Sequence, residues 1–375
     1  MNIDLHNNIK KKNKDLTNFL NAKEDGVFYT GHASILVRLN KKKYLFDYIN
    51  NTNFYGNSWI FFPNQIIDNR LYNVDGVFVS HIHQDHYDPT LLRKFQKRNV
   101  PIYILDGRPG FKSSLKKEKI KVKYIQVKKK TFIHKNTWVY GCLHEYNDID
   151  SSMLISNNNL SVYHGNDNFI TEKTLVPFKK KVGKVDIACI PFAYINYYPY
   201  LLNGISKKQC KSEATRIESL FMDYGIKQSK ILKPKIIIPF GSNLFHLDDP
   251  TCEMNRGVAT PVDFVNYAKI KHNSRANTYK TMLSGSFCLK NDNKILLSYE
   301  NISRKKFDES LIKFTNKKKK LSKKIKQSKK ILITKNKLRL IKDKIKLNST
   351  KIDHNIVISP KTFKDNKIII NLKLD

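Results

Sequence analysis

The sequence lacks the features of a membrane or secreted protein. It contains no run of 18 or more apolar residues, so it has no candidate transmembrane helix. The N-terminal stretch MNIDLHNNIKKKNKDLTNFL has no apolar segment of the kind that a secretory signal requires. We therefore expect a cytoplasmic protein.

Cysteine is also scarce, and the spacing of the cysteines does not fit a metal site made of thiolates. The chain has five cysteines, and no two of them form a C-x-x-C pair. This spacing argues against a zinc site made of thiolates and against a disulfide scaffold. The cysteines therefore fit a reduced compartment.

Acidic residues are few, and the formal net charge is +37. Such a charge attracts nucleic acids or anionic surfaces. However, lysine supplies most of it, whereas bidentate phosphate recognition favours arginine. The joint richness in Lys, Asn and Ile is also what the codon bias of an AT-rich genome produces. We expect an anionic small-molecule substrate, phosphorylated or nucleotide-linked, and keep nucleic-acid binding as a secondary alternative.

From about Gly26 to Leu289, short strands alternate with loops and helices. Turn residues separate the β-rich segments GVFYT, SILVRLN and KKYLFDY, and VDIACIPFA and KIIIPFG have the apolar character of strands buried on both faces. Helices are predicted at Pro89–Lys97, at Ser206–Lys233 with Ser206 as N-cap, and at about Thr260–Lys271. This pattern predicts an α/β protein with sheets packed inside helices.

The C-terminal part has a different composition. From Asn301 onward, 24 Lys and Arg stand against 6 Asp and Glu, with isoleucine and leucine interspersed. We interpret it as a small strand-rich appendage with a solvated basic face. The predicted division is therefore 1–25 as an extension, 26–300 as the main α/β domain and 301–375 as the lysine-rich appendage.

The segment VFVSHIHQDHYDP places four potential metal ligands directly after an apolar strand. They are His81, His83, Asp85 and His86, in the pattern H-x-H-x-D-H. Imidazole nitrogens and carboxylate oxygens suit zinc, iron and manganese. One histidine on a polar loop is unremarkable in any protein, but four ligand side chains at this spacing indicate a metal site.

This loop resembles the signature of the metallo-β-lactamase fold superfamily. The resemblance implies an αββα sandwich, here with a small basic C-terminal appendage, and a site for two divalent metal ions. It assigns His81 and His83 to the first ion, and Asp85 and His86 to the second. Zinc is the expected metal, with iron or manganese as alternatives.

The resemblance also requires three ligands further along the chain. His144, which closes the strand in WVYGCLH, is the expected third ligand of the first ion, with His134 as its alternative. Asp167, in YHGNDNF, is expected to bridge both ions, and His246, after the strand IIIPFG, to complete the second site. The alternatives to Asp167 are His164, Asp148 and Asp150, and the neighbours that would orient His246 are Asp248 and Asp249.

The segment YTGHASILVRLNKKKYLFDY is similar to the opening hairpin of one branch of this superfamily. That branch includes L-ascorbate-6-phosphate lactonase, the phospholipase D that hydrolyses N-acylphosphatidylethanolamine, and the metal domain of CMP-N-acetylneuraminate hydroxylase. The similarity places His32 and Asp47 beneath the metal loop, with His32 fixing the turn or contacting substrate. FDYIN departs from the branch, which has Asp-Pro there. The resemblance extends to about Ile270.

The resemblance predicts a binuclear metal-dependent hydrolase. A hydroxide bridging two metal ions would attack an ester, lactone, amide or phosphodiester. Asp85 and Asp167 are the predicted catalytic carboxylates, and Asp167 would orient the nucleophile or accept its proton. The aromatic residues near this site either line the substrate cleft or pack beneath a loop; they are Trp59, Tyr194, Tyr197, Tyr198 and Tyr200.

Two alternative functions remain open at the level of sequence. The first is oxidation of a nucleotide-activated amino sugar, as the hydroxylase resemblance implies. The chain has no C-x-H and C-x-x-H pair for a Rieske cluster, so a separate protein would have to supply electrons. The second is nuclease or nucleic-acid-binding activity, although aromatic residues do not interleave with the lysine run as a base-stacking surface requires.

Overall fold

The computed structural model describes residues 9–50, 53–54, 59–146, 149–241, 244–246, 259–328, 354–358 and 368–372. Contacts divide the chain into two units, Met1–Lys317 and Lys318–Asp375. None of the described helices is long and apolar enough to cross a membrane.

The described residues form the following strands and helices. The strands are β1 Gly26–Gly31, β2 Ser34–Leu39, β3 Lys42–Phe46, β4 Asn53–Phe54, β5 Trp59–Phe61, β6 Gly76–Val79, β7 Ile102–Leu105, β8 Lys123–Ile125, β9 Thr131–His134, β10 Thr137–Leu143, β11 Ser151–Ser156, β12 Ser161–His164, β13 Ile187–Pro191, β14 Ile236–Phe240, β15 Leu244–His246, β16 Phe287–Asn291, β17 Lys294–Ser298, β18 His354–Ile358 and β19 Ile368–Leu372. The helices are α1 Ile9–Asn21, α2 Pro89–Lys97, α3 Pro109–Lys117, α4 Glu172–Val182, α5 Lys207–Leu232, α6 Pro261–Lys271 and α7 Arg304–Ser328.

Two mixed sheets form the centre of the first unit. The eight-stranded sheet has the order β17-β16-β1-β2-β3-β6-β7-β8, antiparallel up to β3 and parallel from β3 to β8. The six-stranded sheet has the order β14-β13-β12-β11-β10-β9, antiparallel from β9 to β12 and parallel from β12 to β14. Strands β10 and β12 flank the antiparallel β11 and run the same way, so they end at the same edge of this sheet.

Three layers of apolar contacts give the first unit its αββα order. Residues such as Val27 and Phe46 of one sheet pack against Val139 and Ile155 of the other. The outer face of the eight-stranded sheet is covered by α1, α2 and α3, and that of the six-stranded sheet by α4, α5 and α6. The expected α/β sandwich is confirmed.

The predicted helices match the structure closely where capping signals are local. Helix α2 has the predicted bounds, and α6 begins one residue after Thr260, its N-cap. Ser206 caps α5 through a capping box with Gln209, which explains why this helix begins where the sequence indicates.

The lysine-rich segment contains a helix that the sequence interpretation missed. We expected a strand-rich appendage, but α7 covers Arg304–Ser328. Its Phe307 and Phe314 are buried against Phe62 and Phe245, and this spacing places them on one face of a helix. The abundance of lysine hid this periodicity. In the second unit, β18 and β19 pair antiparallel.

Candidate metal centre

The loop after β6 is held in a compact turn. The backbone N–H groups of His86 and Tyr87 both donate to the His83 carbonyl, at 3.0 and 2.8 Å. The Asp88 side chain accepts from Leu91 N at 3.0 Å and so caps α2. These bonds turn the loop side chains back over the end of the strand, where His81 and His86 are buried.

A first group of three potential ligands combines the two sheets. His81, His83 and Asp167 have ligand atoms within 4.8 Å of one another. Nε2 of His81 lies 2.7 Å from Nδ1 of His83 and 4.0 Å from Oδ2 of Asp167. Asp167 comes from the loop after β12, so this group lies where the two sheets meet.

A second group lies beside the first and is buried. His32, Asp85 and His86 also have ligand atoms within 4.8 Å of one another. Oδ2 of Asp85 is 3.0 Å from Nε2 of His32 and 3.4 Å from Nε2 of His86. Oδ2 of Asp167 lies 3.1 Å from Nε2 of His86, so the Asp167 carboxylate contacts both groups.

Asp47 and Ser80 support the histidines from below. Asp47 is buried, and its Oδ2 lies 3.0 Å from Nδ1 of His86. The same carboxylate accepts hydrogen bonds from the backbone N–H and the hydroxyl of Ser80. The Ser80 hydroxyl oxygen lies 3.1 Å from Nδ1 of His81. Asp47 therefore orients one histidine directly and a second through Ser80.

Two residues of this centre have a backbone conformation that is uncommon for side-chain-bearing residues. His32 has φ 47° and Asp47 has φ 43°. Such conformations persist where surrounding contacts determine them, and they concentrate at functional sites. His32 lies between β1 and β2, and Asp47 follows β3. The resemblance of this segment predicted that both residues lie beneath the loop that contains His81 and His86.

Arg108 is a component that the sequence interpretation missed. Its buried guanidinium donates to the carbonyl oxygens of Ser80, Ile149 and Leu105, the last two at 2.8 and 3.3 Å. It thereby joins the ends of β6 and β7 to the loop between β10 and β11. A single arginine after a strand in a lysine-rich chain was the only available signal.

Burial and neighbouring charges set the protonation states within the centre. Burial, reinforced by His86 and His83, holds the pKa of His81 well below its usual value, so this imidazole is neutral. Burial alone would raise the pKa of Asp85, but His86 and His32 outweigh it and hold that pKa well below the usual range. Burial alone would lower the pKa of His86, but Asp167 and Asp85 raise it well above normal.

His144 lines the same cleft as the two groups but belongs to neither of them among the described residues. Its Nδ1 accepts from Tyr146 N at 3.1 Å, which directs its other nitrogen away from this turn. His134 lies exposed on β9. Asp150 lines the cleft, and its Oδ1 lies 3.8 Å from Nε2 of His81.

His164 and His246 each pack against an aromatic ring. His164 stacks on Phe46, and its Nε2 lies 3.0 Å from the Ala33 carbonyl oxygen. The His246 ring centroid lies 3.6 Å from that of Trp59, and burial lowers the His246 pKa to about 4. The structure thus places His32, rather than His246, in the second group. Asp148, Asp248 and Asp249 lie outside the described residues.

A cleft of about 520 Å³ opens over the two groups. His83, Asp85, His144, Asp150 and Asp167 contribute to its lining, together with residues from the loops after β12, β13 and β14. A volume of several hundred Å³ is typical of small-molecule sites. The potential ligands His83, Asp85 and Asp167 therefore face a space that can admit a substrate.

The two groups suit divalent cations. Their donors are imidazole nitrogens and carboxylate oxygens, and His81 and Asp85 are held in the neutral and ionised forms that bind metal. Zinc, manganese and iron all accept this donor set. An αββα sandwich with such a loop at its strand ends is a class of fold suited to metal binding.

The family comparison agrees with this class. Residues 26–209 match the family described as Beta-lactamase superfamily domain. This part of the chain is similar to that superfamily domain, and the predicted α/β sandwich with its sheets packed between helices is confirmed. The narrower branch suggested by the opening hairpin stays a prediction. No curated protein sequence shows significant similarity to the chain.

Several solved structures are similar in fold at low sequence identity. The metallo hydrolase Igni18 from the archaeon Ignicoccus hospitalis is 14% identical, with 74% of this chain and 99% of that chain covered and a TM-score of 0.46. Isothiocyanate hydrolase from Delia radicum gut bacteria is 13% identical, with 70% of this chain and 98% of that chain covered and a TM-score of 0.49. CmlA, a diiron beta-hydroxylase from Streptomyces venezuelae, is 18% identical, with 59% of this chain and 45% of that chain covered and a TM-score of 0.42.

Proposed function

We propose that this protein is a metal-dependent hydrolase with two divalent metal ions at adjacent sites. The observation that carries this proposal is the position of Asp167. Its Oδ2 is 3.1 Å from Nε2 of His86 in one group and 4.0 Å from Nε2 of His81 in the other. A carboxylate shared in this way is suited to a centre with two ions.

The donors divide naturally between two ions. His81, His83 and Asp167, with His144 from the cleft wall, would hold the first, and zinc is the metal we expect. Asp85, His86 and Asp167 would hold the second, with His32 or His246 as a further ligand. When bound, such ions supply a water molecule activated at neutral pH and polarise an acyl or phosphoryl oxygen.

The chain's own residues position and move protons in this reaction. The Asp167 side chain is 32% exposed and faces the cleft, so its carboxylate can orient a nucleophilic water or accept its proton. Asp85 supplies the second carboxylate. Asp47 and Ser80 keep His86 and His81 in fixed orientations, which limits the rearrangement that binding requires.

The substrate class follows from this chemistry. An ester, lactone, amide or phosphodiester offers the electrophilic centre that such a site attacks. We also propose that the positive field of the chain, with its formal charge of +37, raises the local concentration of anionic molecules. This second proposal rests on the net charge alone.

The donor set also suits iron, so partner-assisted oxidation is the alternative proposal. Iron in the purified protein, with turnover only in the presence of an added electron donor, would support oxidation. Zinc or manganese, with turnover in water alone, would support hydrolysis.

The test combines elemental analysis with a small panel of activated substrates, 4-nitrophenyl acetate and bis(4-nitrophenyl) phosphate. We expect two metal ions per chain and hydrolysis that a chelator abolishes. Asp167→Asn should lower the rate by about 100-fold or more, because the shared carboxylate loses its charge. Asp223→Asn is the matched control, since Asp223 is not among the described residues that line the cleft and accepts a hydrogen bond from Tyr267 of α6. Full activity in the metal-free protein would contradict the proposal.

A further inference from the structure

One side of the cleft is formed by three aromatic rings, which we call the aromatic wall: Phe169, Tyr194 and Phe221. The ring centroids of Phe169 and Phe221 are 4.5 Å apart at 83°, and those of Tyr194 and Phe221 are 4.9 Å apart at 37°. All three side chains are half-buried, so each ring keeps part of its surface open to the cleft. The wall is therefore a preformed apolar surface.

The wall is connected closely to the metal-ligand loops. Phe169 follows Asp167 by two positions in the same loop, and Tyr194 lies in the loop after β13. Phe221 comes from α5, whose Gln228 donates to the Asn168 carbonyl at 3.1 Å and so fixes the segment between Asp167 and Phe169. A ligand group on the wall would lie next to the shared carboxylate.

The lining of the cleft differs from the rest of the molecule in charge. The chain has 69 Lys and Arg, yet none is among the described residues that line the cleft. The charged carboxylates there are Asp85, Asp150 and Asp167. A phosphate or carboxylate of the substrate that lay away from the metal ions would meet no cationic side chain of the described lining.

The composition of the lining favours aromatic ligands. Five of the sixteen lining residues are aromatic, whereas aromatic residues make up only 11% of the whole chain. The lining thus combines potential ligand side chains with aromatic rings, and the two kinds of group can together orient a substrate. The fixed rings offer offset and edge-to-face contacts, which favour another aromatic ring over a hydrated polar group.

We infer that the substrate carries an aromatic group beside its reacting centre, and that the aromatic wall binds this group. This inference rests on the proposed function, because it assumes that the reacting centre lies at the two ligand groups. It identifies aromatic esters, lactones or amides as the substrate class, rather than compounds recognised through a remote phosphate.

Equilibrium binding of two small chelating probes tests the inference without turnover. We would titrate the metal-loaded protein with benzohydroxamate and acetohydroxamate in a calorimeter, since both share the chelating group and differ in the ring. We expect benzohydroxamate to bind at least about tenfold more tightly. Phe221→Ala should reduce this preference to about threefold or less, with little effect on acetohydroxamate.

The matched control is Phe132→Ala, because Phe132 is 69% exposed on β9 and remote from the cleft lining. It should keep the preference of the natural protein. Equal affinities of the two probes for the natural protein would overturn this inference alone. Phe221→Leu should retain part of the preference, and an unchanged preference in both Phe221 variants would also overturn it. A protein that takes up no metal would overturn both the inference and the proposed function.

Discussion

Oδ2 of Asp47 lies 3.0 Å from Nδ1 of His86, and both side chains are fully enclosed. A carboxylate at this distance accepts a hydrogen bond from Nδ1–H and leaves Nε2 directed at Asp167 and Asp85. The sequence placed Asp47 beneath the metal loop by resemblance only. The contact gives it a physical role, since second partners of this kind fix both the tautomer and the ring orientation of a ligand.

Replacing Asp47 should weaken metal binding without removing a ligand. We expect Asp47→Asn to lower zinc affinity by about 10- to 100-fold, because the amide no longer enforces the tautomer of His86. Competition with a chromophoric chelator measures this directly. Asp186→Asn is the control, since Asp186 is equally buried but pairs with Lys290. An equal loss of affinity in both variants would show that the effect is merely structural.

The choice between His144 and His134 can be decided by a pair of substitutions. We expect His144→Ala to lower the affinity of one of the two ions by about tenfold or more, because His144 lines the cleft. His134→Ala should bind both ions normally, since His134 lies exposed on β9. Metal content after dialysis against a weak chelator is the measurement. The reverse ranking would contradict the assignment of His144.

Arg108 should contribute strongly to stability. We expect Arg108→Met to lower the free energy of unfolding by about 3 kcal/mol, because carbonyl groups of Leu105 and Ile149 lose their charged donor. Urea unfolding of the metal-free protein measures the change. The control is Arg93→Met, which removes the surface ion pair with Glu118. It should lower the free energy of unfolding by about 0.5 kcal/mol or less. A loss below about 1 kcal/mol for Arg108→Met would contradict the role we assign to it.

Glu218 should make stability depend on pH. Burial raises the Glu218 pKa from 4.5 to about 7. The negative charge of Asp263 adds to this shift, and the positive charge of Arg304 opposes it. The folded state therefore binds this proton more tightly than the unfolded state. Its contribution is fully present below pH 4.5 and is lost as the pH rises to about 7.

Glu218→Gln should remove this dependence and stabilise the protein at pH 8. We expect a gain of about 1 kcal/mol after allowing for solvent screening of the half-exposed carboxyl. Unfolding curves at pH 5 and pH 8 provide the comparison. If the natural protein and the variant differ equally at both values, Glu218 does not titrate as described.

The parts of the structure that could be predicted are those encoded locally. The loop from His81 to His86 follows its strand directly, and Ser206 supplies a capping signal a few residues from the helix that it starts. His32 and Asp85 are 53 positions apart, so no local pattern could indicate their 3.0 Å contact. The same limit applies to Arg108, whose acceptors lie at the end of β7, directly after β6 and in the loop between β10 and β11.

The rings of the aromatic wall show a related limit. Tyr194 lies in a segment dense in tyrosine, which marks it as a candidate, whereas Phe169 and Phe221 belong to no such segment. Their association depends on how α5 packs against the loops after β12 and β13, which is a property of the assembled sheet. The composition of a short sequence segment does not indicate such packing.

The division of the candidate ligands between the two sheets would affect the amount of folded protein in the cell. His81 and Asp85 follow a strand of one sheet, whereas Asp167 follows a strand of the other. A chain whose sheets have not yet come together holds only part of the donor set. Metal at 100 times its dissociation constant would stabilise the completed state by about 2.7 kcal/mol. Metal supply would then govern how much of the newly made protein survives proteolysis.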